Sequence, residues 1–106
     1  MKLTNCKKED LFRGTKFEFS CEYNSTYTKK RHVLMLCEYP VNDEDIAPFA
    51  LYYVEGYYAG TMFTTLPKEA LTKTPYTMAI SRTWLEKNWK EWVDYRCSPK
   101  KVKIKL

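Results

Sequence analysis

Apolar and polar positions alternate across residues 15–23: Phe17, Phe19, Cys21 and Tyr23 fall on one side, with Lys16, Glu18, Ser20 and Glu22 on the other. This is the period of a half-buried strand. The polar stretch 24–31 leads into residues 32–39, whose Val-Leu-Met-Leu-Cys run suits a strand buried on both faces. The two strands are expected to pair as a hairpin. Residues 40–48 hold two prolines and the acidic run Asn42-Asp43-Glu44-Asp45, so pairing is expected to lapse there in an exposed loop. Residues 49–54 and 57–66 are rich in tyrosine, phenylalanine and β-branched residues, with Gly56 and Gly60 marking a turn or bulge. They read either as two strands or as one long bent strand. Pro67, following Leu66, can open a short helix at its first position.

The strongest local signal lies at residues 81–96. Ser81 or Thr83 can cap a helix, and Thr83 with Glu86 has capping-box spacing. Trp84, Leu85, Asn88, Trp89, Trp92 and Val93 then share about half of the helix circumference, opposite Glu86, Lys87, Lys90, Glu91 and Asp94. That face packs on a sheet, so Trp84, Leu85, Trp89, Trp92 and Val93 are the expected core contribution of the helix. Base stacking by the tryptophans is the competing reading, and their sharing a face with Leu85 and Val93 weighs against it. Pro99 is expected to stop the helix. Lysine then alternates with aliphatics over residues 101–106, the pattern of an edge strand guarded against further pairing.

Runs of strands with one late helix give an α+β domain: a mainly antiparallel, strongly bent sheet against one amphipathic C-terminal helix. At 106 residues the chain suits a single domain, 1–106. Its 44% hydrophobic and 16% aromatic content can offset the entropy of ordering, which argues against disorder. The N-terminus becomes charged at Lys7-Lys8 before a signal-peptide apolar region could form, and no apolar run reaches the ~20 residues of a membrane span. A soluble cytoplasmic domain with no membrane partner is the expectation.

Cys6, Cys21, Cys37 and Cys97 are scattered with no CxxC pair and a single histidine, His32, so a structural zinc site is not expected and free thiols are. The sequon Asn24-Ser25-Thr26 has no secretion signal to give it meaning. His32 reads as a strand-end residue with a satisfied hydrogen bond rather than a general base. Glu38 and Glu55 could form a carboxylate pair on neighbouring strands, but nothing in their spacing requires it. No phosphate loop, metalloprotease or dinucleotide fingerprint is present. The chain is read as non-enzymatic, without metal or cofactor.

Charge is arranged along the chain. The net charge is +5, yet between His32 and Pro67 there is no lysine or arginine, only Glu38, Asp43, Glu44, Asp45 and Glu55, so that segment carries −5. The flanks concentrate cations in Lys29, Lys30 and Arg31 and in Lys100, Lys101, Lys103 and Lys105. The acidic segment also holds Tyr39, Phe49, Tyr52, Tyr53, Tyr57, Tyr58 and Phe63. Tyrosine beside carboxylate suits a surface that holds a basic partner, because rings supply buried area and acids steer encounter. The plainer reading makes these ordinary sheet residues and a solvated loop.

Three segments together, Tyr52-Tyr53-Val54-Glu55-Gly56-Tyr57-Tyr58-Ala59-Gly60, Leu66-Pro67-Lys68-Glu69 and Ala79 through Val93, resemble a group of small bacterial immunity proteins. These belong to polymorphic-toxin and contact-dependent growth inhibition systems and carry GYxAG, LPxE and WLxxNWxxW segments. The resemblance covers about residues 50–104. It implies a non-catalytic protein that binds one cognate toxin, often a nuclease, in a heterodimeric complex and blocks its active site or substrate-binding surface. The motif residues look like determinants of the fold, so the resemblance transfers no contact residues. Many such proteins are acidic overall, whereas this chain is acidic only in its middle.

Two functions follow. In the first, Asp43, Glu44, Asp45, Glu55 and Tyr57 meet the positive cleft of a nuclease toxin in place of phosphate. In the second, Lys29, Lys30, Arg31, Lys100, Lys101, Lys103 and Lys105 make a small nucleic-acid-binding module. Those lysines also have a plainer use in edge protection and solubility.

Overall fold

A computed structural model describes residues 1–22, 29–40, 43–72 and 78–106, with backbone alone at 21–22 and 29–30. The sequon and the turn between the first two long strands therefore lie outside the described residues. Seven strands and one α-helix follow in order: β1 (Asp10–Leu11), β2 (Lys16–Glu22), β3 (Lys29–Glu38), β4 (Ile46–Tyr53), β5 (Met62–Pro67), β6 (Ile80–Ser81), α1 (Arg82–Trp92) and β7 (Lys103–Lys105). Five strands form an antiparallel sheet ordered β5-β4-β3-β2-β7, and β1 pairs with β6 in a second, two-stranded sheet. The fold is α+β, as the pattern of strands and one late helix implies.

Register explains which residues form the core. Phe17 lies opposite Leu34 and Ile104, Phe19 opposite His32, Leu36 opposite Leu51, and all seven side chains are buried. They share one face because cross-strand partners in an antiparallel sheet point the same way. The helix covers this face through Trp89, which is wholly buried. Its indole lies 5.9 Å from the Phe17 ring and meets Phe19 edge to face, at 5.2 Å and 87°. Leu85 is buried beside it, while Trp84 and Val93 are half-buried and pack against the same cluster. Trp92 departs from expectation. It is the last helical residue, 37% exposed, and its ring lies 6.2 Å from that of Trp84.

Three boundaries differ from the sequence reading. Strand β4 begins at Ile46 and contains Pro48, so pairing resumes inside the stretch read as a loop. The register against β5 shifts between Ile46 and Ala50, where a residue without an N–H costs no ladder bond, while the Pro48 carbonyl accepts from Tyr39 N at 2.8 Å. Pro67 ends β5 in an extended conformation, and the short 3₁₀ turn Lys68–Ala70 starts after it. The helix stops at Trp92 rather than near Pro99, with the Val93 and Asp94 amides both donating to the Trp89 carbonyl at 2.8 and 3.1 Å. Residues 49–54 and 57–66 resolve into separate strands with shifted bounds.

The helix start is fastened from 72 residues away. Ser81 is the N-cap, its hydroxyl accepting from Trp84 N at 3.1 Å. Thr83 is not part of a capping box: its hydroxyl donates to Glu9 at 2.6 Å, its amide to the same carboxylate at 3.3 Å, and Ser81 Oγ donates there too. Arg82 N donates to the Glu9 carbonyl at 2.8 Å. Partial burial pushes the Glu9 carboxyl upward, but hydrogen bonds from Ser81 and Thr83 and the charge of Arg82 outweigh it, so it titrates below its ordinary value.

Replacing Trp89 by alanine is expected to cost ~3–5 kcal/mol, a large part of what a domain this size has. Trp89 Nε1 has no hydrogen-bond partner among the described residues, so Trp89→Phe should cost markedly less in urea unfolding; equal losses would contradict this packing. Glu9→Gln is expected to lose about 1 kcal/mol at pH 7. Because the folded carboxyl sits low, that stability is present above the unfolded carboxylate value and disappears as pH falls through the folded one. The gap between wild type and variant should therefore close in acid, and a pH-independent gap would exclude the carboxylate as its source.

Candidate functional site

The charge segregation of the chain is largely undone by the fold. Glu38 accepts from Arg13 at 2.9 Å, Glu55 from Arg31 at 2.7 Å, and Asp45 lies 3.9 Å from Lys68 Nζ. Arg31 also donates to Glu18 at 2.6 Å, so one guanidinium bridges two carboxylates. The hydrogen bond from Arg31 draws Glu18 below the ordinary carboxylate range, and the bonds to Glu18 and Glu55 raise Arg31. These groups are about half exposed, so each pair contributes little stability. They do decide what the surface presents. Glu55, a candidate for binding a basic partner, and Arg31, a candidate for binding phosphate, neutralise one another.

The acidic residues do not form one patch. Asp43, Glu44 and Asp45 lie in the turn before β4, and Glu55 and Tyr57 lie in the turn after it. At ~3.3 Å per residue, the eight residues of β4 hold the two turns about 25 Å apart. Glu38 and Glu55 are likewise at opposite ends of the β3–β4 pair and do not meet. In the first turn the three acids are exposed, and Asp43 accepts from Asp45 N at 2.9 Å. Asp43 and Glu44 have no ion-pair partner among the described residues.

The second turn is a built display. Tyr53 N donates to the Thr61 carbonyl at 3.0 Å and Gly60 N to the Tyr53 carbonyl at 2.8 Å, closing the loop at its base. Within it, Ala59 N donates to Gly56 O at 3.1 Å, and the Thr61 amide and hydroxyl both donate to Tyr58 O. Gly56 and Gly60 adopt φ of +83° and +89°, where a side chain would be strained. Tyr57 is thereby held at the tip, 95% exposed, with its ring edge-on to Tyr58 at 5.2 Å. Tyr58 in turn lies 5.7 Å from Tyr53. Tyr58, one of the aromatics of the acidic segment, and Met62, which nothing in the sequence marks, are each 45% exposed at this turn. The glycine spacing around Tyr57 was the available signal.

The face of the sheet opposite the helix carries three of the basic candidates, Arg31, Lys103 and Lys105. Lys16, Lys103 and Lys105 surround the Glu18–Arg31–Glu55 chain at a hollow of about 380 Å³. Lys100 and Lys101 lie in the 3₁₀ turn Pro99–Lys101 leading to β7 and are exposed. Lys29 and Lys30 are in β3, their side chains outside the described residues. His32 is not at a strand end. It is 1% exposed within β3, stacked on Phe19 at 4.9 Å, with Nδ1 3.0 Å from the Tyr53 hydroxyl. Cys6 is a buried free thiol; Cys37 is free and half-buried, and burial raises its pKa. Cys97 is buried with Sγ 3.6 Å from the Ser98 carbonyl, and the Cys21 side chain is not described. No helix among the described residues is long and apolar enough to cross a membrane.

The described residues thus display an exposed tyrosine tip and a separate acidic turn. The family model of Immunity protein 45 matches residues 21–104, and the chain belongs to this family. It is an immunity protein of a toxin–immunity system, acting by neutralisation of a cognate toxin. The match reaches back to residue 21, farther than the three motifs that suggest it in the sequence. No curated protein and no solved structure matches the chain.

Gly60→Ala tests the display. Nothing lies within 4 Å of a Cβ built there, so its cost is the torsional strain of positive φ, about 1–2 kcal/mol. Thermal unfolding should show the loss, and an unchanged midpoint would mean that the turn does not hold this conformation.

Proposed function

We propose that this protein neutralises a nuclease toxin by occlusion, in a one-to-one complex, performing no catalysis itself. The observation that supports this reading is the pairing of the braced Tyr57–Tyr58 tip with an exposed turn whose Asp43 and Glu44 lack described cationic partners. A nuclease carries a positive cleft for phosphate, so the carboxylates of Asp43, Glu44 and Asp45 steer its approach and the rings anchor the contact. Glu55 contributes less, since Arg31 already holds it. Protection against such a toxin is needed where the nucleic acid is, which places the complex in the cytoplasm, as in contact-dependent growth inhibition.

The competing reading, a nucleic-acid-binding module, draws on Lys16, Lys103 and Lys105, which form no ion pair among the described residues. Glu18 and Glu55 stand among those lysines, however, so phosphate approaching the hollow meets two carboxylates. Three engaged lysines on duplex DNA would give a salt slope of about −3. Absence of binding to single- and double-stranded probes at low salt removes this alternative.

The toxin encoded beside this chain, mixed with it at increasing ratio, is expected to lose nuclease activity linearly to equivalence. Charge reversal at Asp43, Glu44 and Asp45 together should slow association by about tenfold at low salt and much less at high salt. Tyr57→Ala should accelerate dissociation, by roughly 30-fold if Tyr57 contributes the ~2 kcal/mol of an interface anchor. Full inhibition at far below one equivalent would point to turnover and overturn occlusion.

A further inference from the structure

The two edges of the large sheet are finished differently. Strand β7 is three residues long, both residues flanking Ile104 are exposed lysines, and its outer side is already covered by the N-terminal segment, with Ile104 N donating to Met1 O and Leu3 N to Val102 O, each at 2.8 Å. Edge strand β5, Met-Phe-Thr-Thr-Leu-Pro, has six residues and no charge, and among the described residues it pairs only with β4. Lysine on an edge discourages added strands, and an uncharged edge invites them.

The register tells which main-chain groups of β5 are free to pair. Tyr53 N bonds toward the β5 side, to Thr61 O, whereas Val54 N bonds back to Val33 O of β3. Alternate residues of β4 therefore face alternate neighbours, and Leu51 faces β5 like Tyr53. Thr64, its register partner, faces β4, so the amide and carbonyl of Thr65 point outward. The Thr64 hydroxyl donates to that Thr65 carbonyl at 3.0 Å, and among the described residues no side chain accepts from the Thr65 amide. The ends of this edge differ in chemistry. Met62 adjoins the exposed tyrosine tip, and Pro67 lies opposite Ile46 beside the acidic turn, where Lys68 N donates to Asp45 O at 3.1 Å.

We infer that β5 is the docking edge for the toxin, which adds an extended segment antiparallel to it, basic where it enters beside Asp43–Asp45 and apolar where it leaves over Tyr58 and Met62. This deepens the occlusion reading and rests on it. The six residues of β5 cover about 20 Å of the ~25 Å between the two turns, so an added segment of about eight residues gives a single partner contact with both.

The test uses the full chain and the purified cognate toxin. Amide hydrogen exchange at Thr65 should slow on complex formation, while Thr64, bonded to β4, is protected in both states. Thr65→Pro removes one outward donor at a position where an edge strand tolerates proline, and should weaken binding at least tenfold with the thermal midpoint little changed. Should that variant be destabilised, Met62→Lys leaves the backbone intact and is expected to weaken binding severalfold by crowding the same edge. Tight binding by wild type with no change in Thr65 exchange would overturn the edge assignment and leave occlusion standing. Failure of wild type to bind or inhibit the toxin would overturn occlusion and the edge together. Concentration-dependent dimerisation abolished by Thr65→Pro, with toxin affinity unaltered, would give the edge to a second copy of this chain and overturn it as a toxin site.

Discussion

The architecture depends on a single wedge of aromatic packing, the Trp89 indole set against Phe17 and Phe19. Among the described residues there is one α-helix, and it covers one face of the five-stranded sheet. The main apolar cluster therefore collects under Trp89 and Leu85, and the opposite face carries Lys16, Glu18, Arg31 and Lys103 around the buried Val33. A sheet covered on one side tolerates polar substitution on the other. That division separates the part of the molecule that sustains the fold from the parts that can be altered for recognition.

The same division governs how much could be read in advance. Strand β2, the helix with Ser81 as its cap, and the lysine-guarded β7 were legible because each depends on local periodicity or local capping chemistry. The strand containing Pro48 was not, because proline there is accommodated by a register shift against β5, a property of the neighbouring strand. Trp92 fits the apolar stripe of the helix yet is 37% exposed at its last position, since periodicity gives a direction but not what lies in that direction.

Charge was the least legible property. Arg13 and Glu38 are 25 residues apart, and Arg31 and Glu55 are 24 apart. Strand pairing brings each pair together, so a segment charge of −5 does not become a surface of that charge. The candidate acids consequently divide into Glu55, which is occupied, and Asp43 and Glu44, which are available. The tyrosine tip was half legible: Gly56 and Gly60 announced a turn, but the hydrogen bonds that brace Tyr57 outward only follow from the closed loop.

The clasp between Glu9 and the residues opening the helix also bears on how the protein is made. Its two sides are separated by 72 residues, so the loop they close includes nearly all of the large sheet. Contacts of such long range tend to form late and slow folding. A newly synthesised chain can close this clasp, and so fix the start of the helix that covers the sheet, only after residues 81–83 have been made.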